Sequence, residues 1–502
     1  MKPIKIALLL LTVATCLSSA EAQTPEKGEL NKELLPQPVF EENPAFVDLY
    51  WKAWELAWGR VKYQEGIPQS PYMDENLWDH AIWIWDTEFM VMFCRYAPHV
   101  FPGIESLNNF YESILNKRPS SLSIQHPDNP PFYSWVEYDY YKFTNDKEHI
   151  KNLIVDNEFP QRHYDWFDSL KRGTKLHFKH ADIKLEKRGI GYLWGKTPSG
   201  MDNTPRGRGA KGNLLWMDAL AQQALSALYI AKLANEVGDK NTAKEFSRRY
   251  DHSKNLLNEY YWDEQDGFYY DLSEADSSFV KVRTPAVYWA MIAEVPDKEQ
   301  AKRLAEYAVD PDEFGGQYPW PSISRRDKDY DNTGNYWKGS VWLPLAYMST
   351  KALEKYGYYD IAYENAYKLI THMSETYRNY SPATIWECYS PSAPEPSYQQ
   401  YSGKPRIKAA ADFCGWSALG PISMFIENVI GFHYVDADEK VVKWIKRGDS
   451  EQGIRNFRFG DVVTDIVAKG DRAEVKSTSD YTLYINGRKY KIKKGEQAFM
   501  VR

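Results

Sequence analysis

Apolar residues recur every three or four positions over most of the chain between residues 46 and 430. The clearest example is a stripe made of Leu214, Met217, Ala221, Leu225, Leu228 and Ala231. This spacing places side chains on one face of a helix. The stripe stops before Gly238, and Asp239 opens the next periodic segment. The pattern therefore predicts a helical hairpin.

Further segments show the same periodicity, so the chain is expected to contain about a dozen helices. They cover approximately 46–62, 75–96, 104–115, 135–143, 148–170, 243–260, 285–293, 297–308, 341–356, 360–377 and 412–429. Helices of similar length in successive hairpins form either an open superhelical array or a closed double ring. The loops between them are rich in Gly, Pro, Trp and Asp. Because a closed ring gathers its loops around a pocket at one end, these loops favour the ring.

The pattern changes after Gly431, where short segments have the alternation of strands. Segments 457–459 and 462–467 predict strands, and Asn486-Gly487 predicts a type I′ hairpin turn. We therefore expect a mainly α chain. A helical domain would span 23–432, and a small β-rich module would span 433–502.

Residues 1–22 have the features of a secretory signal peptide. Two lysines precede an apolar run over 6–17, which is too short to span a bilayer, and Ala-Glu-Ala at 20–22 provides a cleavage site. A lipoprotein beginning at Cys16 is the competing interpretation. The sequence predicts an exported protein, periplasmic or secreted, whose mature chain is not inserted in a membrane.

Composition narrows the classes of function. The 502 residues carry 62 Lys+Arg against 69 Asp+Glu, a net charge of −7, so no global attraction to nucleic acid is expected. Aromatic residues make up 15% of the chain, with 18 Trp and 37 Tyr, and such rings suit surfaces that stack on a ligand. Cys94, Cys388 and Cys414 lack the spacing of metal ligands and are expected to be buried thiols.

Four loops carry charged or polar groups that can act on a substrate, and three of them also carry aromatic rings. They span 83–89, 199–207, 336–342 and 383–389. In the second loop Asn203 and Arg206 can orient the Asp202 carboxylate. In the fourth, Glu387 follows Trp386, and apolar surroundings raise a carboxyl pKa. One such carboxylate alone would indicate a helix cap or a salt bridge; the four loops together favour glycoside hydrolysis, which needs two carboxyl groups.

These loops, in this order, resemble the (α/α)6-barrel glycoside hydrolases of family 63, including its bacterial α-glucosidase and mannosylglycerate hydrolase branches. The family elements W-D-x-x-F, G-x-D-N-S-P-R, Y-W-R-G-x-V-W, E-x-Y and F-x-G-W match 85–89, 200–206, 336–342, 387–389 and 413–416. The resemblance covers roughly residues 45–430. It implies that the helical domain is an (α/α)6 toroid with catalytic function.

The resemblance also implies roles for individual residues. Asp202 would be the general acid and Glu387 the general base of an inverting reaction, with carboxyl groups about 6.5–9.5 Å apart. The expected substrate-binding set is Trp85, Asp86, Asn203, Arg206, Trp337, Lys338, Trp342 and Trp386. Lys338 stands where the family usually has Arg, so recognition of the sugar hydroxyls is expected to differ.

The sequence thus predicts an exported inverting exo-α-glycosidase, α-glucosidase-like, acting on an oligosaccharide or small glycoside. Two-carboxylate chemistry requires no cofactor or metal, and a structural calcium is compatible with it. One alternative is a trehalase-like hydrolase, although the Q-W-D-x-P element typical of trehalases is absent. Another is a non-catalytic glycan-binding protein, which would keep the Trp walls but lose Asp202 or Glu387.

Overall fold

The apolar stripes form helices in the computed structural model, which describes residues 28–75, 78–129, 131–178, 182–194, 200–400 and 405–501. The predicted signal peptide over 1–22 lies outside these residues. The α-helices of ten residues or more are Pro44–Gly59, Ile84–Cys94, Tyr133–Thr144, Phe159–Ser169, Met217–Glu236, Lys240–Leu256, Lys298–Val309, Leu343–Lys355 and Tyr359–Asn379. A further helix with π-type hydrogen bonds spans Gly420–Ile430.

The predicted hairpin around Gly238 is confirmed. Met217–Glu236 and Lys240–Leu256 are joined through Gly238, whose φ of +77° suits glycine. The Asp239 side chain caps the second helix by accepting from the Thr242 backbone N–H at 3.1 Å. The first helix is buried on most of its surface, whereas the second buries only a narrow face.

Several predicted helices have different bounds. Leu214, predicted to belong to the helical stripe, lies in the strand Leu214–Leu215, and that helix begins at Met217. In the segment 75–96 the helix begins only at Ile84, because Ala81–Trp83 is a strand that pairs in parallel with Ser123–Gln125. The segment 148–170 is interrupted at Glu158, which has a positive φ of 52°. In both segments the helix boundary depends on strand pairing or on a backbone angle, and neither can be read from the spacing of apolar residues.

The strands predicted after Gly431 are present and form two sheets. One contains Gln37–Phe40, Gln452–Phe459, Val462–Lys469, Arg472–Ser477 and Gly495–Met500, all antiparallel, and the other contains Tyr434–Asp436, Val441–Trp444, Tyr481–Ile485 and Arg488–Ile492. Asn486 and Gly487 both have positive φ, as a type I′ turn requires. The boundary at 432/433 stays a prediction, since residues from Asn31 onward belong to one compact unit.

A third sheet borders the loop that carries Asp202. Its strands, in spatial order, are Phe279–Val280, Asp271–Ser273, Leu214–Leu215, Gly191–Leu193 and Glu186–Arg188. Cys94, Cys388 and Cys414 are buried free thiols, as expected. Among the described residues, no helix has the length and apolar content that crossing a membrane requires.

Candidate active site

The loop that presents Asp202 packs against the first tryptophan of the site. Gly200 has a φ of +72°, and a Cβ there would lie 2.4 Å from the Trp85 ring, so only glycine allows this approach. The Asp202 side chain remains accessible to solvent. Surrounding protein nevertheless removes part of its hydration and raises its pKa to about 6, while nearby Lys184 opposes the rise.

Asn203 joins two of the predicted loops. Its Oδ1 accepts from the Trp337 backbone N–H at 2.7 Å, and its Nδ2 donates to the Asn335 carbonyl at 3.0 Å. The side-chain amide is therefore engaged by backbone. We conclude that Asn203 fixes the position of Trp337 relative to Asp202. A direct contact of Asn203 with a sugar stays a prediction.

The Arg206 side chain is likewise bound by other groups of the protein. Its guanidinium is 2% exposed and makes two-pronged hydrogen bonds to Asp218, at 2.6 and 3.0 Å, and to Asp271, at 2.9 and 2.7 Å. It also lies over the Trp216 ring at 4.7 Å. Arg206 thus anchors the loop that carries Asp202 to the start of the Met217–Glu236 helix and to the strand Asp271–Ser273. A direct contact of Arg206 with a sugar stays a prediction.

Glu387 is buried and oriented by several donors. Its carboxylate accepts from the Tyr336 hydroxyl at 3.2 Å, the Ala410 backbone N–H at 3.2 Å and the Gln399 amide at 3.5 Å. Burial raises its pKa to about 7; the hydrogen bonds lower it, and the charge of Asp202 adds to the rise. Asp202 is therefore close enough to affect the protonation of Glu387.

The tryptophans form one aromatic cluster. The rings of Trp337 and Trp342 are stacked at 4.0 Å with an angle of 2°, and Trp85 lies 6.1 Å from Trp337. Trp416 lies 5.9 Å from Trp85 and 5.8 Å from Trp342, and its Nε1 donates to the Glu387 carbonyl at 3.1 Å. Through these contacts the tryptophan cluster packs between the loop that carries Asp202 and the segment that carries Glu387.

Trp386 immediately precedes Glu387, and Lys338 immediately follows Trp337. Trp386 is 4% exposed and packs edge-on against Tyr380. Its ring is thus part of the interior beside Glu387. Lys338 is half-buried, and it makes no salt bridge with the part of the chain that the structure describes. A direct contact of either side chain with a sugar stays a prediction.

Asp86 belongs to a carboxyl pair that sequence reasoning missed. Its partner, Glu75, was assigned to the start of a helix but lies in a loop after the strand Tyr72–Met73. The two side chains are 2% and 6% exposed, and their carboxyl groups lie close enough for a hydrogen bond when one of them is protonated. Burial raises the pKa of Asp86 to about 7 and that of Glu75 well above its ordinary range. The acidic dipeptide at 74–75, shortly before the W-D element, was the available signal.

The site therefore gathers four carboxyl groups within one electrostatic environment. The charges of Asp202 and Glu387 raise the pKa of Asp86. The charges of Asp86 and Glu387 raise the pKa of Glu75. Such an arrangement binds protons near neutral pH, which suits acid–base catalysis. Across the described ranges, no group of three or more His, Cys, Asp or Glu side chains is arranged to hold a metal ion.

A family model described as the mannosylglycerate hydrolase MGH1-like glycoside hydrolase domain matches residues 130–402, more than half of the chain. The chain belongs to this family. The MGH1-like domain contains both candidate catalytic carboxyls and the Tyr336–Trp342 motif, whereas Glu75 and the Trp85-Asp86 element precede the matched region. The predicted resemblance to family 63 glycosidases is thereby confirmed.

Similar proteins agree with this membership. The chain is 25% identical to a mannosyl-oligosaccharide glucosidase of Saccharomyces cerevisiae over 54% of its own length and 34% of the glucosidase. It is 25% identical to a cytosolic neutral trehalase of Kluyveromyces lactis over 44% of its length and 30% of the trehalase. It thus spans about a third of each relative. The GH63 mannosylglycerate hydrolase of Thermus thermophilus, solved with glucose, shares the fold with a TM-score of 0.55 and 15% identity, covering 75% of this chain and 99% of that one.

Proposed function

We propose that this MGH1-like glycoside hydrolase is an exported, inverting exo-α-glycosidase that acts on a small α-linked glycan. In this proposal Asp202 is the general acid and Glu387 is the general base. The observation that carries it is that these two carboxyls, far apart in sequence, interact electrostatically and both have pKa values raised into the neutral range. Asp86 and the tryptophan cluster would form the subsite for the terminal sugar.

The chemistry follows from these positions. Glu387 takes a proton from a water molecule, whose oxygen attacks the anomeric carbon. The bond to the glycosidic oxygen breaks as Asp202 donates its proton to that oxygen, which leaves as an alcohol. Attack from the face opposite the leaving group inverts the configuration. Tyr336, whose hydroxyl donates to Glu387, would help to orient the base.

The reaction requires one proton on the pair, located on Asp202. With pKa values of about 6 and about 7, Asp202 and Glu387 share roughly one proton near neutral pH. A glycosidic oxygen bound next to Asp202 accepts a hydrogen bond only if Asp202 is protonated. Substrate binding would thus place the proton on the acid and leave the base ionised.

Three further features belong to the proposal. The helical hairpins would close into an (α/α)6 toroid, residues 433–502 would form a separate β-rich module, and residues 1–22 would direct export. The helical pattern, the two C-terminal sheets and the amino-acid pattern of 1–22 support these inferences. Mass spectrometry of the protein recovered after expression would test the last one, by locating its first residue.

The test is hydrolysis of a panel of α-linked disaccharides and mannosylglycerate, with the anomer of the product followed by NMR. We expect release of a β-anomer, which Asp202→Asn and Glu387→Gln abolish. Glu364→Gln, on an exposed face of the Tyr359–Asn379 helix, is the control and should retain activity. An α-anomer would refute inversion, and activity in both site variants would refute the assignment.

A trehalase-like hydrolase is the second candidate, because a neutral trehalase is among the similar proteins. Cleavage of trehalose alone within the panel would select it. Sugar binding without hydrolysis of any panel member would instead favour a glycan-binding protein.

A further inference from the structure

The contact between Glu75 and Asp86 has a chemical requirement. Ionised carboxylates only accept hydrogen bonds, so two carboxyl groups in contact need one proton between them. The Asp86 Oδ2 atom is buried and receives no hydrogen bond from a described N–H or hydroxyl group. An unpaired buried oxygen is costly. A proton on Glu75 would provide the missing donor.

Glu75 is the better holder of this proton. Burial, the charges of Asp86 and Glu387, and that of Asp74 all raise the pKa of Glu75 well above its usual range. For Asp86 the hydrogen bond from Glu75 counteracts burial. Glu75 therefore donates, and Asp86 remains the acceptor.

The backbone holds Glu75 in place for this role. A Cβ at Gly415 would lie 3.0 Å from the Glu75 carbonyl oxygen, so the loop of Glu75 packs directly on the segment before Trp416. Trp416 in turn donates to the Glu387 carbonyl. The Glu75 loop is thus packed against the same segment that positions the proposed base.

We propose that Glu75 is a positioning residue that, by donating its proton to Asp86, favours the ionised form of the Asp86 carboxyl group and orients it toward the hydroxyl groups of the bound sugar. This rests on the proposed function, in which Asp86 contacts the terminal sugar. Glu75 itself touches neither the substrate nor the reacting atoms. It acts through Asp86.

The groups that face the pair define its titration. Asp86 faces Glu75, Asp202 and Glu387, and Glu75 additionally faces Asp74. Further out, the charges of Lys62, Arg60 and Asp79 act on Asp74. Loss of the shared proton at high pH would place two negative charges in contact beside Glu387. Sugar binding should therefore weaken at alkaline pH because of this pair.

Two substitutions of Glu75 distinguish its role as a hydrogen-bond donor from the effect of its charge. In Glu75→Gln the amide still donates to Asp86 but does not titrate, so kcat/KM should stay within about 3-fold of the parent. Glu75→Met keeps the length without the donor, and should raise KM and lower kcat/KM about 100-fold. The alkaline rise in KM attributed to this pair should be absent from Glu75→Gln. A loss in Glu75→Gln as large as in Glu75→Met would overturn the proposal.

A double-mutant cycle distinguishes positioning from general damage. If Glu75 acts through Asp86, then Glu75→Met should cost nothing further in an Asp86→Asn background. Additive losses of kcat/KM would contradict that route. The comparison uses the full chain and the substrate identified by the panel.

Carbon-13 NMR of labelled glutamate side chains tests the proton without a substrate. The resonance that disappears in Glu75→Gln should have the shift of a carboxylic acid at pH 7. A carboxylate shift would overturn the proposal, even if Glu75→Met failed to fold. If the panel shows no hydrolysis, the proposed function fails while this measurement still decides where the proton lies.

Discussion

Replacing Glu387 by Gln should stabilise the fold at alkaline pH while removing activity. The folded protein raises the pKa of this carboxyl from an ordinary 4.5 to about 7, so the folded state disfavours its ionised form. One pKa unit corresponds to about 1.4 kcal/mol, so the ionised group lowers the free energy of unfolding by roughly 3 kcal/mol. Gln is neutral; its amide oxygen can accept from the Ala410 N–H while its NH2 group donates to the Tyr336 hydroxyl.

The sign depends on pH in a defined way. Below pH 4.5 Glu387 is protonated in both the folded and unfolded chains, so the penalty is absent. Above pH 7 it is ionised in both, and the whole penalty applies. The gain from Glu387→Gln should therefore be about zero at pH 4 and roughly 3 kcal/mol at pH 8, which corresponds to a rise in Tm of roughly 3 °C for a chain of this size.

Thermal unfolding of the parent and Glu387→Gln, measured at both pH values, checks this expectation. Glu364→Gln, which removes a carboxyl group from an exposed position, is the control for the substitution itself and should change Tm little. An equal effect of Glu387→Gln at the two pH values, or a larger gain at pH 4, would refute the linkage argument. The burial of an ionised Glu387 would then carry no energetic cost.

Three other outcomes are expected. The pH profile of kcat/KM should be a narrow bell with limbs near pH 6 and 7, and a flat profile from pH 5 to 8 would contradict a shared proton on the catalytic pair. Arg206→Met should lower the free energy of unfolding by about 3–5 kcal/mol, measured by denaturant titration, because it removes the cation that compensates the charges of two buried carboxylates. Gly200→Ala should lose activity and cost about 1–3 kcal/mol more than Gly209→Ala, since both have positive φ but only Gly200 contacts Trp85.

Periodicity predicted the helices because most of them bury one face. Helices such as Lys298–Val309 and Leu343–Lys355 agree with their predicted segments to within one or two residues. Periodicity placed the start of the Ile84–Cys94 helix too early, at residue 75. The strand that precedes this helix depends on pairing with Ser123–Gln125, some forty residues later. The hairpin at Asn486 was predictable because its turn requires only two local residues with positive φ.

Site residues were predictable where a local sequence motif identifies them. They were not predictable where the role of a side chain depends on its contacts with residues distant in the chain. The Asp202 and Glu387 loops were found from their composition. The partners of Arg206 lie 12 and 65 residues away, so the sequence did not show that the guanidinium is fully engaged. Glu75 was missed for the same reason, because its proposed role depends on its proximity to Asp86, which is eleven residues further along the chain.

The pairing of Gln37–Phe40 with Gln452–Phe459 affects how the protein acquires its structure. The ribosome must make over four hundred residues before this pairing can form, and Gly495–Met500 then completes the far edge of the same sheet. Contacts so distant along the chain form late and slowly. During synthesis the early strand has an unsatisfied edge, open to association with other chains. Deleting residues 37–40 should therefore reduce the yield of correctly folded protein more than it reduces the activity of the molecules that fold.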